Sequence, residues 1–448
     1  MNRRAYISAG ASTFLCGVTG CTLRGSHIDV PAKQDTDPDR KFQFNDEKGP
    51  NAWAQLGYDP GNTNYASGVT GPGKTVALDW SALDNQGLFP PVVAKDIYIC
   101  ERSGVARRLR NDDGSERWKN TSLPPLHWSP ALNGNLMFVM SRVEPEQARI
   151  HALDGQTGEE DWSRPVSASS TFRPPSGPTV TTNHIFLGSE TGVLCLESQE
   201  GEVVWRANLR DHMVESEEGR RRRTDWPTPA VTKNHVFTFE ANTREGPKEV
   251  FSINRENGDL EWRTTIDLER GWRFKGHVVA GDEHVFVHAS ETDWIPLSSD
   301  ESVETGGTHR VYMIDSDSGD AEQIIEFQGA LFGPAAFAEG VLYAGNWHPQ
   351  RGVGELVAFD VEQKEPLWTY ETNAGPVSTP AVTSQIMFLS QGTELAAIST
   401  ETGEPRWEID IDGLVYPPIV ANETVYPLAG YRLSIRDSES QVIAIRET

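Results

Sequence analysis

Tryptophan recurs along this chain in a constant local context, and this repetition restricts the possible folds more than any other feature. In five repeats a glycine stands four residues before the tryptophan, as in Gly158-Glu-Glu-Asp-Trp162. The interval between Trp262 and Trp368 holds one further repeat, in which Gln323 takes the tryptophan position. The interval in the sequence between one repeat tryptophan and the next is typical of the repeats that build solenoids and propellers. The repeat tryptophans are Trp80, Trp118, Trp162, Trp205, Trp262, Trp368 and Trp407.

Each repeat predicts a small antiparallel sheet. A short apolar strand such as Ile150–Asp154 precedes an Asp- or Asn-rich turn, whose glycine stands where a positive φ is required. The next strand carries the tryptophan, and two more strands precede the hairpin, as at Ser378–Val382 and Ile386–Leu389. Four antiparallel strands per repeat indicate a propeller blade. We expect the tryptophan to pack between neighbouring blades, because its large flat ring suits such a contact.

The number of repeats predicts how the ring closes. The strand around Trp80 has no inner strands before it, and the last unit ends at Ile445 without an outer strand. Residues 75–82 are therefore predicted to complete the last blade, which leaves no unpaired edge in the ring. The predicted fold is all-β, an eight-bladed β-propeller over residues 51–448 with its N- and C-terminal segments paired. The inner strands of the eight units begin near Phe89, Trp128, Pro174, Trp226, Phe274, Phe332, Ser378 and Tyr416.

Two segments carry a family resemblance. Ala152–Trp162 resembles the tryptophan-docking repeat of the PQQ-repeat, or quinoprotein-like, family, and Trp53–Tyr65 resembles the segment that precedes the first strand in that family. The family includes BamB-type assembly lipoproteins and the quinoprotein alcohol dehydrogenases, which use pyrroloquinoline quinone (PQQ). The resemblance implies a propeller over about nine-tenths of the chain, and it is specific for fold rather than for function.

The chain departs from the dehydrogenase members of that family. The resemblance implies adjacent cysteines beside the quinone, but the four cysteines, Cys16, Cys21, Cys100 and Cys195, are all separated. A haem-attachment Cys-x-x-Cys-His motif is also absent from the sequence. We assign no catalytic residue, no metal ligand and no cofactor, and we predict a non-catalytic protein. A propeller that binds PQQ or another small ligand, with dehydrogenase or sensor activity, is the alternative.

The N-terminus predicts export and lipid attachment. Paired arginines, Arg3 and Arg4, precede an uncharged stretch that is too short to span a bilayer, as in a twin-arginine signal peptide over residues 1–20. The stretch ends in Val18-Thr19-Gly20-Cys21, which looks like a prokaryotic lipobox with Cys21 as the lipidated residue. Residues 21–50 are polar and charged, as expected of a flexible tether. We therefore predict an extracytoplasmic protein that contacts the membrane only through lipidated Cys21.

The charge of the chain limits its partners. It has 65 acidic and 40 basic residues and a formal net charge of −25, which disfavours binding to nucleic acid or anionic lipid. Among the basic residues lysine is rare, and an acidic surface poor in lysine suits high salt. These features together favour a haloarchaeal lipoprotein of the BamB-like kind, monomeric, with a protein partner at the cell surface.

Long insertions suggest which face of the propeller binds. Asn208–Thr224 follows an outer strand and Ser290–His309 separates the second and third strands of the fifth repeat, and both kinds of loop lie on one face. The inner strands begin on this face with aromatic and charged residues, which either bind a partner or plug the channel and stack between blades. The predicted binding face comprises His127, Trp128, Arg173, Asp225, Trp226, Trp272, Arg273, Phe332 and Tyr416.

Overall fold

A computed structural model of the protein confirms the predicted architecture, an all-β ring of eight four-stranded antiparallel blades. It describes residues 52–144, 147–167, 176–212, 226–241, 247–291, 307–331, 333–411, 413–430 and 439–448. The signal peptide, Cys21 and the tether lie outside the described residues. Within the described part, one short 3-10 helix, Arg210–His212, accompanies the strands. No helix in that part is long and apolar enough to cross a membrane.

The strands follow the chain in blade order, with the innermost strand of each blade first. Strand β1 (Val76–Gln86) comes before blade 1 and belongs to blade 8. Blades 1 and 2 consist of Val92–Val93 (β2), Ile97–Glu101 (β3), Val105–Leu109 (β4) and Glu116–Asn120 (β5), then Leu126–Asn133 (β6), Leu136–Glu144 (β7), Gln147–Asp154 (β8) and Glu160–Ser167 (β9). Blades 3 and 4 consist of Thr179–Val180 (β10), His184–Gly188 (β11), Gly192–Glu197 (β12) and Val203–Asn208 (β13), then Ala230–Val231 (β14), His235–Phe239 (β15), Lys248–Asn254 (β16) and Leu260–Ile266 (β17).

The second half of the ring has the same order. Blades 5 and 6 consist of Arg273–Ala280 (β18), His284–Ser290 (β19), Thr308–Asp315 (β20) and Ala321–Gln328 (β21), then Ala336–Ala338 (β22), Val341–His348 (β23), Val353–Asp360 (β24) and Glu365–Thr372 (β25). Blades 7 and 8 consist of Ala381–Val382 (β26), Ile386–Gln391 (β27), Glu394–Ser399 (β28) and Pro405–Asp410 (β29), then Leu414–Val415 (β30), Ile419–Ala421 (β31), Thr424–Tyr426 (β32), Leu428–Gly430 (β33) and Glu439–Glu447 (β34).

Each repeat tryptophan packs on the next blade. The ring of Trp118 covers Gly158, where a Cβ atom would stand 2.6 Å from the ring, and its Nε1 donates a 3.0 Å hydrogen bond to the carbonyl of Gly155. Gly158 also has a φ of +76°. The turn therefore needs a residue without a side chain for two reasons, the nearby ring and the positive φ. The spacing of glycine and tryptophan thus reflects contacts between blades: six of the seven rings lie on the turn glycine of the blade that follows. The seventh, Trp407, donates from its Nε1 to the carbonyl of Pro72 in the segment before β1.

The ring closes through the N-terminal segment, as predicted. Strand β1 pairs antiparallel with β34, from Val76 opposite Glu447 to Gln86 opposite Glu439, and so forms the outer strand of blade 8. Trp80 on β1 then packs on Gly114 of blade 1, which repeats the contact made elsewhere in the ring. Pairing of the two ends of the chain leaves the last blade without a missing strand.

Candidate functional site

One end of the central channel is bound by the segment before β1. Residues 53–66, the belt, run past the ends of the inner strands of blades 1 to 7 in order. One backbone N–H in each of these strands donates to the belt, and Ala54 and Pro60 are two of the carbonyl acceptors. The donors are Val93, Leu132, Val180, Val231, Ala280, Phe337 and Val382, at distances of 2.7 to 2.9 Å. The belt therefore ties seven blades together at this end of the channel.

Side chains within the belt fix its path. Asp59 accepts hydrogen bonds from the backbone N–H of Thr63 at 3.0 Å and from its hydroxyl at 2.7 Å. The amide of Asn62 donates to the carbonyls of Pro229 and Val278, both at 3.1 Å, and so bridges blades 4 and 5. These bonds explain the polar residues in a segment that is largely buried.

The opposite end of the channel, the mouth, lies where the inner strands begin, and two of those strands are bulged there. The pairing of β6 with β7 shifts between His127 and Ala131, and that of β18 with β19 shifts between Lys275 and Val279. Trp128 in the first bulge has a φ of +73°, which is rare for a bulky residue and is typical of functional sites.

Half-buried aromatic rings stand at one repeat position on three adjacent blades of the mouth. Phe89, Trp128 and Tyr416, on blades 1, 2 and 8, each stand three residues before the residue at which pairing with the next strand resumes after an interruption. On blade 5, opposite blade 1 in the ring, this position is Gly276, and Arg273 and Lys275 beside it are both half-buried. The mouth thus has an aromatic side and a cationic side.

The structure corrects two members of the predicted binding face. Trp226 is fully buried, with its ring edge-on to Phe251 at 5.5 Å, and it belongs to the core between blades 3 and 4. Trp272 is also buried, and the guanidinium of Arg310 lies 4.3 Å from its ring centroid. Both tryptophans pack within the protein, because an aromatic residue before an inner strand can turn toward the neighbouring blade as readily as toward the mouth.

The other predicted residues divide into two groups. His127, Trp128, Arg273 and Tyr416 are half-buried at the mouth and remain candidates. Arg173, Asp225 and Phe332 lie outside the described residues. Phe89 occupies the same repeat position as Trp128 and was missed, although the alignment of the repeats carried the signal.

Blade 2 contains a hydrogen-bonded Ser-His-Glu series that the sequence did not indicate. The hydroxyl of Ser141 lies 2.7 Å from Nε2 of His151, whose Nδ1 lies 2.5 Å from a carboxylate oxygen of Glu160. This order is that of a hydrolase triad, but Ser141 has no solvent exposure, so no substrate reaches its hydroxyl. The arrangement is therefore a buried polar contact.

Blade 1 supports that interpretation. By strand register, Glu101, Arg107 and Glu116 occupy the same three positions in blade 1, where Nε of Arg107 donates to Glu101 at 2.6 Å. The two blades thus fill one repeat position with two different polar series. An equivalent position that carries an ion pair in one blade and a Ser-His-Glu series in the next indicates a packing role.

The described residues do not fit a PQQ site with its calcium ion. Cys100 and Cys195 are separate free thiols buried in blades 1 and 3, and burial raises the pKa of Cys195 to about 12 and that of Cys100 further. No group of three His, Cys, Asp or Glu side chains within the described ranges could hold a metal ion. We therefore derive no step through a quinone or a metal.

Comparison with known proteins identifies the family. A PQQ-repeat family model described as outer membrane protein assembly factor BamB matches residues 43–324 and 307–447, which is most of the chain. A curated relative, outer membrane protein assembly factor BamB of Yersinia pestis, is 23% identical over 300 residues, 63% of this chain. The match spans 65% of that relative, just under two thirds of its length.

Solved structures share the fold. The quinohemoprotein alcohol dehydrogenase ADHIIG from Pseudomonas putida HK5 matches with a TM-score of 0.63 at 13% identity, covering 89% of this chain and 80% of that one. BamB from Moraxella catarrhalis matches with a TM-score of 0.54 at 13% identity, covering 83% of this chain and 98% of that one. At such identities the likeness concerns the propeller alone.

Proposed function

This chain belongs to the PQQ-repeat family described as outer membrane protein assembly factor BamB, and on that basis we propose that it is a non-catalytic scaffold that binds protein partners. The scaffold is extracytoplasmic and monomeric, it is exported by the twin-arginine signal over residues 1–20, and lipidated Cys21 anchors it to the membrane through the tether. Its acidic composition suits a halophilic source. The role named for the relatives, outer-membrane protein assembly, is theirs, and only protein binding is carried over to this chain.

The contrast between the two ends of the channel carries the proposal. At one end of the channel the belt accepts a hydrogen bond from each of seven inner strands. These backbone N–H groups are therefore already satisfied at that end. At the mouth, half-buried aromatic rings lie on blades 1, 2 and 8, and half-buried cationic side chains lie on blade 5, opposite blade 1 in the ring. Aromatic residues and arginine are the residue types that most often anchor protein interfaces. A partner is therefore expected to bind at the mouth, with Trp128 and Arg273 as anchors.

The binding role is tested by crosslinked pull-down from intact cells with wild-type and altered protein. We expect Trp128→Ala and Arg273→Glu each to reduce recovery of the same specific partner by about tenfold or more, because each removes an anchor worth about 2 kcal/mol. Leu367→Ala is the matched control, since Leu367 is a half-exposed apolar residue on the outer strand of blade 6. Equal recovery with all four proteins would exclude the mouth as the binding site.

The anchor is tested separately. Cys21→Ser removes the thiol that would accept the lipid, so we expect the protein to move from the membrane fraction to the medium. Cys16→Ser, within the signal peptide, is the control and should leave the protein membrane-bound. If the Cys21→Ser protein stays with the membrane, another part of the chain holds it there.

The second candidate function is a propeller that binds PQQ or another small ligand, with dehydrogenase or sensor activity. It is favoured by the shared fold of the quinohemoprotein alcohol dehydrogenase. It is tested by adding PQQ and calcium to the purified protein and measuring quinone absorbance and dye-linked alcohol oxidation. Saturable binding with turnover would replace the scaffold proposal, and absence of binding would leave the scaffold as the better account.

A further inference from the structure

The junction between blades 5 and 6 contains a hydrogen bond that depends on the protonation of a buried histidine. His288 lies on β19 of blade 5 and has no solvent exposure. Its Nε2 accepts a 3.0 Å hydrogen bond from the backbone N–H of Ala335, which precedes β22 of blade 6. An imidazole nitrogen accepts only without a proton, so this bond requires neutral His288 with its hydrogen on Nδ1.

Two more imidazoles lie beside His288. His309, at the start of β20, is also fully buried, and its ring centroid lies 4.6 Å from that of Phe327. Neither ring nitrogen of His309 has a hydrogen-bond partner among the described residues, and the same holds for Nδ1 of His288 and Nε2 of His277. Unpaired buried polar atoms are uncommon and unfavourable, so packing around the cluster holds it in place.

Blade 6 contributes a fourth imidazole with partners of its own. Nε2 of His348 lies 3.1 Å from a carboxylate oxygen of Glu355 and 3.0 Å from the side-chain amide of Asn346. Burial alone would raise the pKa of Glu355, but hydrogen bonds from His348 and Asn346 lower it. This carboxylate therefore stays ionised and is already bonded to His348.

Cations face the cluster from blade 5. Lys275 on β18 stands opposite His288 in the strand pairing. Arg310, the residue after His309, forms an ion pair with Glu326 at 2.9 Å. No carboxylate in the described part of the chain forms an ion pair with His277, His288 or His309. A proton added to any of the three histidines would thus introduce a buried charge without a counter-ion.

We propose that His288 is an acid-sensitive latch that joins blade 5 to blade 6 while it is neutral and releases the Ala335 segment when it is protonated. Protonation converts Nε2 from an acceptor into a donor that points at another N–H group, so the bond is lost and repulsion replaces it. Once one imidazole of the intact junction is charged, protonation of the other two is further disfavoured, because a second charge in the cluster would repel the first. The latch concerns the fold and stands whatever the mouth binds.

The titration of the cluster sets the pH range. Burial lowers the pKa of His288 to about 3 and that of His277 to about 4, and it lowers the pKa of His309 well below its usual value. When the junction opens, each imidazole regains its ordinary pKa of about 6.5. Below that pH, opening therefore becomes about tenfold more populated per pH unit for each histidine released.

Hydrogen exchange measured by mass spectrometry on the full folded protein tests the latch. Peptides that cover residues 333–345 report on the Ala335 segment, and those that cover residues 131–140 report on the equivalent strands of blade 2. We expect the protection of residues 333–345, corrected for intrinsic exchange, to fall at least about tenfold between about pH 7 and about pH 5.5, while blade 2 stays unchanged. A uniform loss around the ring would overturn the proposal.

His288→Gln separates the latch from general acid effects. A glutamine carbonyl oxygen reaches the position of Nε2 and still accepts from Ala335, but it does not titrate, so the pH dependence of residues 333–345 should shrink about tenfold. His235→Gln is the control, because His235 lies on β15 of blade 4, away from the junction, with its Nε2 3.0 Å from a carboxylate oxygen of Glu261. An undiminished pH dependence in His288→Gln rejects the latch.

A measurement on the wild-type protein keeps the test decisive if that variant does not fold. Exchange of the imidazole C2 hydrogens, followed by mass spectrometry across pH, gives the titration of each histidine. We expect His288 to titrate below pH 5, whereas titration near its ordinary pKa would mean that the junction is already open or solvated, and the latch would be rejected.

Discussion

Two kinds of junction join the blades of this ring. Between blades 3 and 4 the ring of Trp205 covers Gly258, and its Nε1 donates to the carbonyl of Arg255 at 2.9 Å. Between blades 5 and 6 the tryptophan is replaced by exposed Gln323, and the turn glycine is replaced by Lys364 with a φ of +55°. The two replacements occur together because the ring and the glycine form one contact: without the ring, a side chain at this turn position no longer meets the preceding blade, and only the positive φ still favours glycine there.

The junction between blades 5 and 6 also contains the buried His277, His288 and His309. It therefore differs from the other junctions both at its outer strands and near its inner strands. An ion pair on the surface, Lys364 with Glu322 at 2.5 Å, takes the place of the tryptophan contact. Exposed ion pairs contribute at most about 1 kcal/mol, whereas a buried aromatic ring contributes several times that. We therefore expect the blade 5 to blade 6 junction to be the first to open, since stability within one structure is not uniform.

The largest expected effect is the loss of a tryptophan at an ordinary junction. Trp205→Ala removes a buried ring and leaves a cavity, so it should lower the free energy of unfolding by about 3–5 kcal/mol. Gln323→Ala, at the equivalent position of blade 5, should change it by less than about 0.5 kcal/mol. Chemical denaturation of both variants measures the difference, and comparable losses would mean that the two junctions are equivalent.

Substitution of the partner glycine should have the next largest effect. In Gly258→Ala the new Cβ would stand 2.8 Å from the ring of Trp205, so overpacking should cost about 1–3 kcal/mol beyond the cost of the positive φ. Gly134→Ala is the matched control, because Gly134 also has a positive φ and a Cβ atom there would have no other atom within 4 Å. The difference between the two variants in thermal or denaturant unfolding isolates the ring contact, and no difference would refute it.

Acid should destabilise the histidine junction selectively. The pKa of His288 is about 3 in the folded protein and about 6.5 in the unfolded chain, so between these values the unfolded chain binds the extra proton. Stability is therefore complete above about pH 6.5 and falls by about 1.4 kcal/mol per pH unit below it, until the folded pKa is reached. Unfolding of wild type and His288→Gln from about pH 7 to about pH 4.5 measures this slope, and parallel profiles would contradict the assignment to His288.

Sequence alone predicted the features that repeat. The spacing of glycine and tryptophan predicted the blades, and the unmatched strand around Trp80 predicted ring closure. Both could be predicted because the residue types and their spacing can be read directly from the sequence. The absence of tryptophan at Gln323 was also visible. Its partner, Lys364, was not recognised, since the contact between ring and glycine joins residues of different blades.

The features that the sequence did not predict depend on long-range contacts. The belt holds seven blades largely through its backbone carbonyls, which carry no residue-specific signal, so Trp53–Tyr65 indicated a family segment but not its path. Trp226 precedes the inner strand β14 and is buried, whereas Trp128 lies in the bulge of the inner strand β6 with a positive φ and is half-buried at the mouth. His288 lies in a strand whose sequence looks like that of the other second strands. What sets it apart is the hydrogen bond from Ala335 of the next blade, which the sequence does not show.

The smallest expected effect comes from converting the unusual junction into an ordinary one. Gln323→Trp combined with Lys364→Gly would supply both a ring and the surface that receives it, and glycine would also relieve the positive φ of Lys364. We expect the pair to raise the free energy of unfolding by about 1 kcal/mol, and each single change to give less than half of that, because neither partner has a contact alone. A double-mutant cycle measures the coupling. If the paired change stabilises blade 5 against blade 6, opening of residues 333–345 should become less populated at every pH, while its change per pH unit stays the same, because the outer contact does not alter the number of protons bound on opening. Additive single changes would show that the ring and the glycine act independently, and the contrast between the two kinds of junction would then rest on the histidines alone.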